Sequence, residues 1–340
     1  MGQGQEVKTR NDPQVEIQER GEIFFFYRPK VEREAAHSAD DVQRLYIVLR
    51  PGSGKRPVEE KQDPHSGKEG FNPSSRGKAT VEGGHGSQVM MVARTATQQI
   101  VYDQLAISQA LIECQTQEVN IEKQALLRLI VLGKKSLPDP RQRGRPYWGF
   151  VEMVTTKIGD VKSALQAEEY DTSTRGHRHK PAARPLGEGV YRILRHKSSG
   201  RKAHTHLIYK LEFPPEGEKQ ETQESLNVER EGSFLIQIKN PDQHGAGPSQ
   251  FGGLQSKRKV VFPACLQGQF GQRRFIQADP PDFLNYEGCE LLLISASDDI
   301  EEELGLELKG ECEGDPSCSD LLKTFGETAP MDPLFRGTWA

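Results

Sequence analysis

Two neighbouring stretches, VYRILRH at residues 190–196 and HTHLIYKLEF at residues 204–213, decide the fold that this chain of 340 residues is expected to adopt. Both are rich in β-branched, aromatic and leucine side chains, and a polar connection that contains Gly200 separates them. The second stretch alternates, so its apolar residues share one face of a strand. These residues are Leu207, Tyr209, Leu211 and Phe213. The two stretches therefore predict a β-hairpin with one apolar face.

Similar short apolar runs recur along the chain, and most of them end at proline, glycine or asparagine. They predict further strands at Glu22–Arg28, Arg44–Arg50, Leu127–Leu132, Trp148–Thr155, Ser233–Lys239, Lys257–Phe262 and Cys289–Ser295. One helix is predicted between its N-cap Asp160 and Tyr170, and a second over Gln98–Cys114. Because strands outnumber helices, the predicted fold class is α+β, a mostly antiparallel β-sheet with few helices and long disordered loops.

Composition divides the chain into one ordered part and polar margins. Residues 1–20 are polar, and we expect a mobile N-terminus there. Residues 21–308 are expected to form a single α+β domain, interrupted at 51–88 by a disordered insertion that is poor in apolar residues. Residues 309–340 are expected to form an acidic C-terminal tail.

The composition argues against a membrane protein and indicates a reducing compartment. No apolar run approaches the ~20 residues that span a bilayer, and the first residues lack the apolar core of a signal peptide. The five cysteines are scattered and odd in number, which favours free thiols. We therefore expect a soluble cytoplasmic protein, with a nuclear location left open.

Charge is unevenly distributed, although the formal net charge is only −4. Residues 171–210 hold ten lysines and arginines against two acids, together with five of the nine histidines. Residues 298–320 hold ten acids against one lysine. The basic segment is where we expect an anionic ligand or an acidic partner to bind, and nucleic acid is left open as a partner.

The candidate anion site is the run Thr172-Ser173-Thr174-Arg175-Gly176-His177-Arg178-His179-Lys180. A hydroxyl, a guanidinium and a glycine that admits close backbone approach suit a phosphate or a carboxylate. A solvent-exposed loop whose charges pair with nearby acids fits the same composition equally well. The predicted anion-binding residues are Thr174, Arg175, His177, Arg178, His179 and Arg192.

His204 and His206 are candidate metal ligands, because residues two apart on a strand point to the same side. A divalent metal ion would need a third ligand, for which His196 or His177 is better placed than Glu212. The alternative is a pair of histidines on a solvent-exposed face. The His-x-His pattern weakly resembles the first cupin motif, but its spacing to Glu212 differs from that motif. The catalytic residues of such an enzyme stay unknown.

Six stretches carry a resemblance to a protein family. They include FFFYRPKV at residues 24–31, TRGHRH at residues 174–179 and GEGVY at residues 187–191. The others are HTHLIY at 204–209, DFLNYEG at 282–288 and PLFRGTW at 333–339. On these stretches the chain is similar to a family of uncharacterised proteins found in plants and bacteria, over most of residues 21–340 except 88–117. The family carries no assigned activity, so the resemblance implies no catalytic residue.

The leading functional prediction is a soluble intracellular binding or interaction protein with a basic, histidine-rich anion site. The alternative is a metal-dependent enzyme that uses the His-x-His strand. A third hypothesis is that the acidic segment 298–320 lies over the basic hairpin and regulates access to it. The binding hypothesis requires the basic loop and the hairpin to share one pocket.

Overall fold

Fifteen strands and five short α-helices make up the described part of the computed structural model. It covers residues 4–11, 14–33, 35–59, 117–139, 145–197, 203–217, 221–243, 259–310 and 319–326. The strands are β1 (Gln5–Lys8), β2 (Gln14–Pro29), β3 (Val42–Pro51), β4 (Lys55–Val58), β5 (Gln117–Asn120), β6 (Leu127–Leu132), β7 (Pro146–Thr155), β8 (Glu168–Thr172), β9 (Gly176–Lys180), β10 (Arg184–Lys197), β11 (His204–Phe213), β12 (Glu231–Lys239), β13 (Phe275–Gln277), β14 (Glu290–Ser297) and β15 (Leu306–Lys309). The helices are α1 (Ile158–Leu165), α2 (Glu221–Ser225), α3 (Ala264–Phe270), α4 (Ile300–Leu304) and α5 (Asp320–Phe325), with 3₁₀ helices at Ala39–Asp41 and Pro281–Asn285.

Eight of the strands form a closed antiparallel barrel. Their order is β11-β10-β2-β3-β6-β7-β14-β12, and β12 pairs with β11 to close the ring, while β13 adds to β12. The predicted hairpin is β10–β11, in which His196 lies opposite His204. The prediction of a mostly antiparallel β fold with few helices is confirmed. Because the sheet closes on itself and the helices lie outside it, the α+β description is only partly right.

Apolar side chains fill the barrel and also cover part of its outside. On β2, Ile23 and Phe25 belong to the cluster inside the barrel, whereas Phe24 and Phe26 belong to an outer cluster. Helix α1 and Phe325 of α5 pack over that outer cluster. Both faces of β2 are therefore buried, which is why residues 23–27 form an unbroken apolar run. An eight-stranded barrel is just wide enough for its own side chains to fill it.

A third apolar cluster lies outside β10 and β11. Leu194 and Ile208 of the barrel pack there against Ile300 and Leu304 of α4, and β15 belongs to the same cluster. Strand β1 pairs with β15. The segment predicted to be a mobile N-terminus thus contains β1 and the beginning of β2, and residue 20 lies inside β2.

The predicted insertion and tail also contain regular structure. Strand β4 lies within residues 51–88 and pairs with β5, which follows the insertion in the sequence. Residues 60–88 lie outside the described residues, and so does the predicted helix Gln98–Cys114. Helix α5 lies within the predicted acidic tail 309–340, and its Phe325 is buried. These segments were predicted to be loose because each is polar alone and becomes buried only against the barrel.

Three local predictions are wrong. Helix α1 begins at Ile158, and Asp160 lies in its first turn, where its carboxylate accepts a hydrogen bond from Thr155 Oγ1 at 2.5 Å. Residues 259–262 of the predicted strand Lys257–Phe262 are not a strand. Phe213 leaves the face of Leu211 and joins the outer cluster, because the register between β10 and β11 shifts at Glu188/Gly189.

Candidate functional site

Five of the six predicted anion-binding residues lie in the β8–β9 hairpin, outside the barrel. Thr174 and Arg175 are in its exposed turn. The Arg175 backbone N–H donates to Thr172 Oγ1 at 3.1 Å, and the Thr172 hydroxyl donates to the Gly176 carbonyl at 3.1 Å. Gly176 has φ of +65°, a conformation that glycine adopts without strain. The residue types that suggested an anion site therefore build a tight turn.

Basic side chains lie on both faces of this hairpin, and acidic side chains contact them on each face. His177 on one face is 62 % exposed and contacts Asp171 at 3.3 Å through Nδ1. On the other face, Arg178 Nε lies 3.4 Å from Glu32 Oε1. The His179 backbone N–H also donates to Glu32. Exposed pairs of this kind contribute only about 0–1 kcal/mol each, and they neutralise the positive charge locally. The hairpin therefore matches the solvent-exposed alternative better than a concentrated anion pocket.

Arg192, the sixth predicted residue, has a different role. It is buried on β10, where Nε donates to Glu6 Oε2 at 2.9 Å and Nη2 donates to the Gly4 carbonyl at 3.1 Å. The β8–β9 hairpin leads into the end of β10 that begins at Arg184. Arg192 lies eight residues further along this strand, about 26 Å from Arg184 at ~3.3 Å per residue. The prediction that Arg192 joins the loop in one site is therefore wrong: Arg192 holds the N-terminal segment against the barrel.

Three of the predicted segment's histidines do lie together, on the outer face of β10 and β11. His196 Nδ1 is 3.3 Å from His206 Nε2, and His204 is directly opposite His196 in the strand register. His206 Nδ1 is 3.0 Å from Ser233 Oγ. Burial, together with the neighbouring His196 and His204, lowers the pKa of His206 to about 3. His206 is therefore neutral at physiological pH.

Helix α4 covers this histidine cluster. Glu303 Oε1 lies 3.9 Å from His206 Nδ1, and Ile300 and Leu304 of α4 pack in the apolar cluster with Leu194 and Ile208. Part of the acidic segment thus packs on the hairpin strands, mainly through apolar side chains. Within the described ranges, no three His, Cys, Asp or Glu side chains are grouped so that they could hold a metal ion. The structure pairs His206 with His196, and metal binding by His204 and His206 stays a prediction.

A buried charged network at one end of the barrel was missed by the sequence analysis. Arg128 donates to both carboxylate oxygens of Glu19, at 2.6 and 2.9 Å, and Nε donates to Asn285 Oδ1 at 2.8 Å. The Tyr191 hydroxyl donates to Glu19 at 2.7 Å. Burial acts to raise the pKa of Glu19, but Arg128 outweighs it and holds that pKa below its ordinary value. A lone arginine inside the apolar strand Leu127–Leu132 was the available signal.

A surface depression lies over β3, β6 and β7. It is an open groove of about 600 Å³. Its rim carries the cations Arg44 and Lys180, the second of which belongs to β9 of the predicted basic hairpin. Lys180 is paired with Glu168 at 2.9 Å, whereas the Arg44 side chain has no ion-pair or hydrogen-bond partner among the described residues. The apolar floor consists of Tyr46, Leu129, Val131 and Phe150.

Buried Arg28 fixes one wall of this groove. Its guanidinium donates to the carbonyls of Ala164 and Gln166, at 2.8 and 3.0 Å, where α1 ends. It also donates to the Tyr46 hydroxyl at 3.1 Å and to the Pro181 carbonyl, which follows β9. One side chain thus ties the floor, the end of α1 and the hairpin together. The hydrogen bonds of this buried side chain therefore fix the wall of the groove.

None of the helices in the described ranges has the length and apolar character to cross a membrane. The chain matches no known family model, and neither curated proteins nor solved structures show significant similarity to it. The resemblance to a plant and bacterial family stays a prediction from the sequence.

Proposed function

We propose that this protein is a cytoplasmic binding protein that takes an acidic, apolar peptide segment of a partner protein in the groove over β3, β6 and β7. The observation that carries the proposal is Arg44, whose guanidinium has no hydrogen-bond or ion-pair partner among the described residues and lies at the edge of an apolar floor. A concave surface that combines apolar side chains with a few placed polar and charged groups can bind a ligand with a defined orientation. The free thiols of Cys265 and Cys289 support a reducing compartment.

The chemistry of the occupant follows from what already binds next to the groove. Phe26 is opposite Tyr46 in the pairing of β2 with β3, so the groove floor continues the surface on which α5 packs. There, Asp320 pairs with Arg50 and Phe325 packs on Phe26. The groove offers the same combination. Arg44 can bind a carboxylate of the ligand, and the apolar side chains of the floor can contact an aromatic or aliphatic group. An acidic peptide segment with an apolar anchor is therefore the best match.

A peptide array tests this proposal. Dodecamers that vary in acidic and apolar content are incubated with the wild-type protein, and bound sequences are expected to combine Asp or Glu with Phe or Leu. Arg44→Gln is expected to weaken the best peptides by about tenfold, because a hydrogen bond to a charged group contributes about 1.5–3 kcal/mol. Glu152→Gln, which removes a negative charge from the same rim, is expected to strengthen them.

Arg175→Gln is the matched control, since it removes an exposed arginine from the hairpin turn outside the groove. Loss of binding in Arg175→Gln with full binding in Arg44→Gln would show that the hairpin is the anion site and the groove is not. Anilinonaphthalene sulfonate is titrated in parallel. If this dye binds in an Arg44-dependent manner and no peptide does, the groove takes small amphiphiles and the proposal fails.

A further inference from the structure

Helix α5 contacts the barrel at both of its ends. At its beginning, Ser319 Oγ donates to Glu188 Oε2 at 2.6 Å, and the Asp320 backbone N–H donates to Glu188 Oε1 at 2.8 Å. The Asp320 carboxylate pairs with Arg50. At its other end, Phe325 is buried. A polar anchor and an aromatic anchor thus lie on either side of one short helix.

The aromatic anchor is a specific contact. The Phe325 ring centroid lies 5.8 Å from that of Phe24 and 5.4 Å from that of Phe26, both in edge-to-face geometry. Such ring pairs contribute about 0.5–1.5 kcal/mol beyond the area they bury. Arg50, whose guanidinium lies 5.6 Å from the centre of the Phe24 ring, links this contact to the polar anchor. The groups that make these contacts belong to β2, β3 and β10 of the barrel.

Arg50 keeps a carboxylate partner on the barrel when α5 is released. Arg50 is paired with Glu22 on the neighbouring strand as well as with Asp320. Removal of Asp320 therefore leaves one arginine with one glutamate, whereas docking adds a second carboxylate beside the first. Burial raises the pKa of Glu22, Arg50 offsets part of this rise and Asp320 adds to it, and together they bring the pKa to about 7. Docking of α5 thus places the carboxylates of Glu22 and Asp320 close together, and release of α5 removes the repulsion between them.

We propose that this surface is a docking site for a short helical segment, which residues 319–325 occupy in the free protein and which a partner segment with Ser-Asp at its start and Phe at its end can occupy instead. The recognition has two parts: Glu188 and Arg50 bind the start of the helix, and Phe24 and Phe26 bind the phenylalanine. This site lies beside the groove and does not depend on the function proposed for it.

The test uses the full chain and a fluorescein-labelled peptide with the sequence of residues 319–326, SDLLKTFG. The variant Asp320→Ala/Phe325→Ala vacates the site in the full chain. It is expected to bind the peptide at least about tenfold more tightly than the wild type, because the attached segment competes at a high effective concentration. The same peptide with alanine in place of its phenylalanine is expected to lose this gain. Equal binding by the variant and the wild type would overturn the proposal.

Arg44→Gln in the vacated variant separates this site from the groove, since it is expected to leave binding of the SDLLKTFG peptide unchanged. Hydrogen exchange of the wild-type chain gives a second test that requires no substitution. The amides of α5 are expected to exchange at least about tenfold faster than those of β2 and β3, as a segment that opens locally does. Exchange of α5 only together with β2 and β3 would mean that the segment never releases, and the proposal would fail.

Discussion

Replacement of Arg128 by methionine is expected to lower the free energy of unfolding by about 3–5 kcal/mol. Arg128 is fully buried, and Glu19 is 2 % exposed. Without the guanidinium, the Glu19 carboxylate stays inside the barrel with the Tyr191 hydroxyl and Arg56, which is 3.4 Å away. An uncompensated buried charge costs far more than the pair contributes when intact, because desolvation of the ion is no longer offset. Urea unfolding followed by circular dichroism measures the loss.

Two further variants separate a buried-charge effect from a loss of packing. The double variant Glu19→Leu/Arg128→Met removes both charges, and it is expected to be about 2 kcal/mol or more stable than Arg128→Met alone. Arg195→Met breaks an exposed pair with Glu16 and is expected to cost less than about 1 kcal/mol. If Arg128→Met costs no more than Arg195→Met, the network does not stabilise the barrel end.

Acidification is expected to destabilise the protein through His206. The pKa of His206 is about 3 in the folded chain, whereas the ordinary pKa of histidine is 6.5. Between pH 3 and pH 6.5 the unfolded chain therefore binds more protons than the folded chain. The stability that the neutral imidazole contributes is fully present above pH 6.5. It is lost on acidification by up to about 1.4 kcal/mol per pH unit. His206→Gln, which does not titrate, is expected to remove this dependence.

Glu22 acts in the opposite direction and provides the control. Its pKa is raised to about 7, so the stability linked to its protonation is present below pH 4.5 and is lost as pH rises through 7. Between pH 4.5 and 6.5 the two groups therefore partly cancel in the wild type. Glu22→Gln is expected to make the stability rise more steeply with pH in this window, and His206→Gln to make it fall. Parallel profiles for wild type and His206→Gln would show that His206 is not held neutral.

The described contacts also change which residues deserve mutation. The composition of the basic segment points to Thr174, Arg175 and His177. In the structure these residues lie in or next to a hydrogen-bonded turn, and His177 contacts Asp171. Arg44 lies in no motif and attracted no attention in the sequence. Arg44 is a candidate binding residue because it lies beside the apolar floor of the groove and has no hydrogen-bond or ion-pair partner among the described residues. Binding experiments should therefore begin at the groove.

The sequence by itself determined the strands that carry their own periodicity. The predicted bounds of β6 and β11 coincide with the observed ones. His204 and His206 lie on the same face, as predicted, because side-chain direction in a strand depends only on parity. The apolar run at residues 23–27 correctly predicted a buried strand. These features are local, since each follows from the chemistry of adjacent residues.

Only the tertiary structure decided how the sheet closes and which charges meet. The Arg128 and Glu19 side chains are 109 residues apart in sequence, and those of Arg192 and Glu6 are 186 apart. A partner at such a separation is set by strand order and register, which no local pattern encodes. Short segments such as β1, β4 and α5 have too little apolar surface to order alone, and they become structured only by pairing or packing with other elements of the fold.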